Sequence, residues 1–177
     1  MRRELGSFRH LAARFARSLS PAGPPAADER WAREWLLPGE RELWGRLPGP
    51  DRRHAVGVAR DALERLGAEP PGRAVVAAAL LHDVGKLESG LGTLGRVAVT
   101  LAAMLAGRER IVSGRGRSPW SVRARAYLTH DRIGGELLRA AGADALTAAW
   151  AEQHHLPAAR WSIERRVGEA LKAADGD

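Results

Sequence analysis

Apolar residues recur every three or four positions along most of this chain, and no run alternates long enough to make a strand. The pattern predicts an all-α fold. Within residues 1–19, Leu5, Phe8, Leu11, Ala12, Phe15 and Leu19 fall near one stripe among arginines, which describes a basic amphipathic helix. Such a helix suits peripheral contact with an anionic membrane, a partner protein or its own domain. Pro21, Pro24 and Pro25 make a linker of residues 20–27, so residues 1–27 separate from a second unit, 28–177. Short helices over 28–37 and 40–47 carry Trp31, Trp35 and Trp44 at a spacing that suits core anchors. Pro48-Gly49-Pro50 then stops the chain. Asp51 is placed to cap a helix that runs to Leu66 and is closed by Gly67.

A second break at Pro70-Pro71-Gly72 precedes a helix from Arg73 to about Asp83. Further helices are expected over 94–105, 133–141, 145–154 and 162–174, with Ser118 and Pro119 opening another that runs toward His130. The Gly/Arg segment 113–117 reads as a loop. Residues 91–106 are the most apolar stretch, but Arg96 interrupts them and they are too short to cross a bilayer.

A chain of 177 residues suits one domain with a sizeable core, and its scarcity of aromatics favours close helix packing over a β-sandwich. The formal charge of +7 rests on arginine, since Lys86 and Lys172 are the only lysines. A positive field suits an anionic, phosphorylated substrate rather than stable binding of nucleic acid, although Arg, Ala, Gly and Pro are also what a GC-rich genome favours together. With no cysteine, disulfides, thiolate metal sites and cysteine catalysis are excluded. A cytoplasmic address is expected, because the basic start is not followed by an unbroken apolar run.

The chemistry lies in the histidines. Five of the six, His54, His82, His130, His154 and His155, are spread through the helical region, with Asp83 beside one of them and Asp175 further on. Helical phase turns them inward. His82 follows Val75, Ala78 and Ala79 on one stripe, His154 follows Leu146 and Trp150, and His54 precedes Val58 and Ala62. Asp175 lies one turn after Leu171. A lone inward histidine is usually a hydrogen-bonded core residue. Several stations with carboxylates beside them point instead to a cation, because a buried Asp83 would be costly without one.

With His54 upstream and Asp175 downstream, the run Leu81-His82-Asp83-Val84-Gly85-Lys86 resembles the HD-domain superfamily of metal-dependent phosphohydrolases, over residues 51–175. The resemblance implies a compact HD-type helical bundle in which His54, His82, Asp83 and Asp175 hold one metal. His130, His154 and His155 would hold a second, with Asp83 as the bridge. Iron or manganese suits such ligands. A hydroxide bridging the two ions would attack phosphorus, with Lys86 contacting a phosphate or a metal-bound oxygen.

The His154-His155 doublet is similar to that of the HD-GYP and membrane-anchored HD phosphodiesterases. Gly-Tyr-Pro does not follow it, however, and no membrane spans are present. The implied function is hydrolysis of a nucleotide, either a cyclic dinucleotide or a dinucleoside polyphosphate. Two alternatives stay open: a di-iron oxygenase of HD type, and a non-catalytic, metal-stabilised domain that binds nucleotide or partner. Arg132 beside His130, and Arg115 and Arg117 in the loop, are placed either to meet further phosphate charge or simply to be solvated.

Overall fold

The computed structural model describes residues 21–67 and 72–176, so the helix expected over 1–19 lies outside the described residues. Within them the protein is all-α. The helices are α1 (Ala26–Glu34), α2 (Pro38–Arg46), α3 (Gly49–Leu66), α4 (Arg73–Leu81), α5 (Thr93–Ala106), α6 (Arg108–Ser113), α7 (Pro119–Leu128), α8 (His130–Ala140), α9 (Ala145–Gln153) and α10 (Arg165–Asp175). Short 3-10 segments cover Val84–Ser89 and Ala158–Arg160.

Helix α4 is the axis of the bundle. Every residue from 75 to 81 is buried, as a helix that is apolar all round requires. It packs between α3 and α9. Helix α10 lies against α3, and α8 against both α9 and the Val84–Ser89 segment. Trp44, Leu80, Leu81, Leu138, Trp150 and Leu171 fill the core. Trp44 is an anchor as its spacing suggested, with its Nε1–H donating to Glu29. The buried Glu40 accepts from Arg73 at 2.7 Å, and Arg73 also pairs with Asp144, so one guanidinium joins the starts of α2, α4 and α9. A smaller cluster of Leu91, Val99, Ala124 and Leu128 holds α5 to α7.

The structure moves several expected boundaries. Helix α3 begins at Gly49, so Asp51 lies inside its first turn instead of capping it. Its carboxylate is taken by Arg96, which donates two bonds of 2.8 Å from α5. The stop at Gly67 is as expected, with φ at +83°. The cap at Ser118 also stands, its hydroxyl oxygen accepting from the Ser121 amide.

His130 opens α8 instead of ending α7. Thr129 causes the break, because its hydroxyl donates back to the Arg125 carbonyl while its backbone leaves the helical region. Helix α6 lies where apolar spacing predicts no element. No single helix among the described residues is long and apolar enough to cross a membrane. Residues 73–89 and α5 together pass that test by composition, with an 85° bend between them, but α4 is core.

Candidate metal centre

Three of the histidines sit at helix ends and are held in the same way. His82 and His154 are the C-caps of α4 and α9, and His130 follows α7 by one residue. Each directs Nδ1 to the carbonyl three residues earlier: His82 to Ala79 at 2.8 Å, His130 to Tyr127 at 2.6 Å, and His154 to Ala151 at 2.9 Å. Those carbonyls belong to the last turns of helices, where the regular intrahelical donors run out. Donation from Nδ1 leaves Nε2 as the nitrogen that can bind a metal once the imidazole is neutral, and all three Nε2 atoms point inward to Asp83.

Asp83 stands between two groups of ligands. The coordinating atoms of His54, His82 and Asp175 lie within 4.8 Å of one another, and those of His130, His154 and His155 do likewise. Asp175 Oδ1 is 3.0 Å from His54 Nε2 and 3.6 Å from His82 Nε2. Asp83 Oδ2 is 3.4 Å from His82 Nε2, whereas Oδ1 is 3.3 Å from His130 Nε2 and 3.8 Å from His154 Nε2. One carboxylate thus turns an oxygen to each group. Lys86 Nζ donates to Oδ2 of the same carboxylate.

All seven side chains expected as ligands come together, as does Lys86. The expected arginines do not join them. Arg132 is exposed and pairs with Glu136 one turn along α8, while Arg115 and Arg117 stand exposed between α6 and α7.

The donor set fits a cation. His82 Nε2 and His154 Nε2 are buried without a hydrogen-bond partner, and an unsatisfied buried imidazole nitrogen costs about 1–3 kcal/mol. A bound cation would satisfy both. Iron and manganese are among the metals that imidazole and carboxylate hold.

Protonation follows the same geometry. Burial disfavours the charged form of His82, but the carboxylates of Asp83 and Asp175 outweigh it and raise the imidazole to about 9. Burial and the positive field of the other imidazoles push His154 down to about 3 and His155 down to about 4. Against the effect of burial, Lys86 and His82 hold Asp83 well below the usual carboxylate range, and His54 and His82 do the same for Asp175.

The metal-free protein should therefore be most stable near pH 6.5. Below the unfolded histidine value of about 6.5 the unfolded chain takes up protons that His154 and His155 refuse, and below about pH 4 the two aspartates add to the loss. Above 6.5 the contribution of His82 fades as pH rises through 9. Urea unfolding of chelator-treated protein across pH 4–9 tests this. A midpoint that rises or falls steadily across that range would contradict it.

The sequence does not single out every contributor. A cleft of about 440 Å³ reaches the second group, with Met104, Arg108, Tyr127, Leu128, His130 and His155 among its walls. Tyr127 also stacks on His130, with ring centroids 5.8 Å apart. Lys172 donates to the His154 carbonyl at 2.8 Å and ties α10 to the end of α9. Its one available signal is its rarity. Gly85 and Gly134 let the Val84–Ser89 segment meet α8 backbone to backbone, since a Cβ on Gly85 would lie 1.9 Å from the His130 carbonyl oxygen.

Comparison with protein-family models, with curated proteins and with solved structures finds no match for this chain.

Proposed function

We propose that this protein is a metal-dependent phosphohydrolase of the HD type, acting on a nucleotide of the cyclic dinucleotide or dinucleoside polyphosphate class. The observation that carries the reading is the placement of Asp83, whose two oxygens face two separate groups of histidines. That is the arrangement a two-metal hydrolytic site needs. The Nε2 atoms of His82 and His154, buried without a hydrogen bond beside the carboxylate of Asp83, support it further.

In this reading His54, His82 and Asp175 would hold one ion and His130, His154 and His155 the other, with Asp83 facing both groups. Two divalent ions so held would supply Lewis acidity toward a phosphoryl oxygen and a water acidic enough to act as nucleophile. The protein does the rest. The helix-end carbonyls of Ala79, Tyr127 and Ala151 fix the imidazole tautomers. Lys86 offsets the charge of Asp83 and stands beside the site to meet an anionic oxygen. Arg108 stands on the cleft wall, where its guanidinium donates to the Leu128 carbonyl and pairs with Asp131 at 3.5 Å. Asp83 and Lys86 are the two residues assigned to the reaction itself.

His130→Ala is expected to lower metal content from about two ions per chain toward one, because it removes a ligand from only one of the two groups. Plasma emission analysis of the purified variant measures this directly. An unchanged stoichiometry would take His130 out of the second group.

A further inference from the structure

Every large apolar side chain that stands exposed among the described residues falls between positions 94 and 122. They are Leu94, Leu101, Met104 and Leu105 on α5, and Trp120 and Val122 on α7. Leu105 is 89% exposed and Met104 78%, so these are whole side chains in water and not edges of the core. Helix α5 is fixed from behind. Val99 is fully buried, and the helix's single charge, Arg96, is turned away to Asp51. The outward face of α5 therefore carries no charge at all.

A patch of this kind on a folded domain marks a surface that meets something apolar. Its rim states the sign of that partner. Arg108, Arg110, Arg115 and Arg117 are exposed in the segment that joins the two helices, and Arg123 is exposed on α7. Glu109 is the one acid of that stretch, and Asp131 pairs with Arg108 at 3.5 Å, which leaves the other four arginines without an acidic partner among the described residues. An apolar helix face edged by arginines matches a bilayer with anionic headgroups, where the side chains enter the acyl boundary and the guanidiniums meet lipid phosphates.

The same charge argument disfavours the other occupants. A second copy docked face to face would bring two arginine rims together. Residues 1–19 carry five arginines against one glutamate, and they too have the wrong sign.

We propose that the outward face of α5, with Leu94, Leu101, Met104 and Leu105, docks peripherally on an anionic lipid bilayer. Met104 of this face and Arg108 of its rim also belong to the wall of the cleft that reaches His130 and His155, so docking sets the mouth of the cleft at headgroup level. The inference is independent of the reaction carried out in the metal centre.

Flotation of the full chain with phosphatidylglycerol–phosphatidylcholine vesicles, compared with pure phosphatidylcholine vesicles, tests it. Binding is expected only to the anionic vesicles, and it should weaken with salt. Leu101→Asp combined with Leu105→Asp should lower the partition coefficient by at least about tenfold, since two exposed leucines lose their transfer into lipid. Arg115→Gln combined with Arg117→Gln should weaken binding without changing metal content. Because the chain has no cysteine, a Leu105→Cys variant can carry one environment-sensitive fluorophore, whose emission should shift to the blue on anionic vesicles. Undiminished binding by the double aspartate variant would overturn the proposal and assign attachment to residues 1–19. A blue shift without vesicles, accompanied by the mass of a dimer, would overturn it in favour of self-association.

Discussion

Asp83→Ala should abolish hydrolysis and remove most of the bound metal from both ligand groups, while far-UV circular dichroism stays helical. The loss of activity should exceed the ~100-fold that losing an outer hydrogen-bond partner of a metal ligand typically costs. In the proposed site Asp83 is the ligand that faces both groups. Asp83 places Oδ2 near His82 and Oδ1 near His130 and His154, so its removal opens both groups at once. It also leaves the cations of His82 and Lys86 without the carboxylate that offsets them. Asp83→Asn separates shape from charge, because it keeps the volume and loses the anion. If charge is what joins the two ions, the asparagine variant should be nearly as inactive as the alanine one. Activity that survives in Asp83→Asn with full metal content would mean that the carboxylate only fills space.

Gly85→Ala should cost about 3 kcal/mol or more of stability, an effect at the upper end of overpacking, measured by urea unfolding. The new methyl would sit 1.9 Å from the His130 carbonyl oxygen and 2.6 Å from the Gly134 amide nitrogen, and both are backbone that no rotamer change can clear. The start of α8 must therefore move, and His130 moves with it. Metal should be lost first from the His130, His154 and His155 group, leaving a protein closer to one ion per chain. Gly57→Ala is the control. That glycine lies inside α3 with nothing near its added Cβ, so alanine there should stabilise by about 0.5–1 kcal/mol. Equal effects of the two substitutions would mean that the close approach at Gly85 is not what holds α8.

Periodicity carries the all-α fold and the inward phase of His82 and His154, which are buried, because both depend on which side of a helix faces the core. His54, read on the same basis, is half-buried. Leu171 and Asp175, one turn apart, are both buried as that phase requires, and Gly176 closes the helix just beyond with φ at +75°. Periodicity says nothing about contacts between backbones. The pairing of Gly85 with α8 is hidden for that reason. So is the use of Ala79, Tyr127 and Ala151 carbonyls to orient three imidazoles, since a backbone acceptor leaves no mark in residue type.

Asp51 shows the opposite failure. Local chemistry favours a cap, but a guanidinium 45 positions away in sequence takes the carboxylate, and the helix begins earlier at Gly49. Apolar spacing also runs α7 on to His130, because it is blind to the threonine back-bond that breaks α7 from α8. The arginines are the least legible of all. Position beside a ligand does not aim a side chain, and Arg132 is engaged by Glu136 instead.

The most direct test of the central claim is to load the metal-free full chain with Mn2+ or Fe2+ and incubate it with a panel of cyclic dinucleotides and dinucleoside polyphosphates. Metal content and released products are then measured in the same preparation. About two ions per chain and a hydrolysed nucleotide are expected, both lost in Asp83→Ala. Bound metal with oxygen uptake and no hydrolysis, or hydrolysis that persists in Asp83→Ala, would contradict that claim.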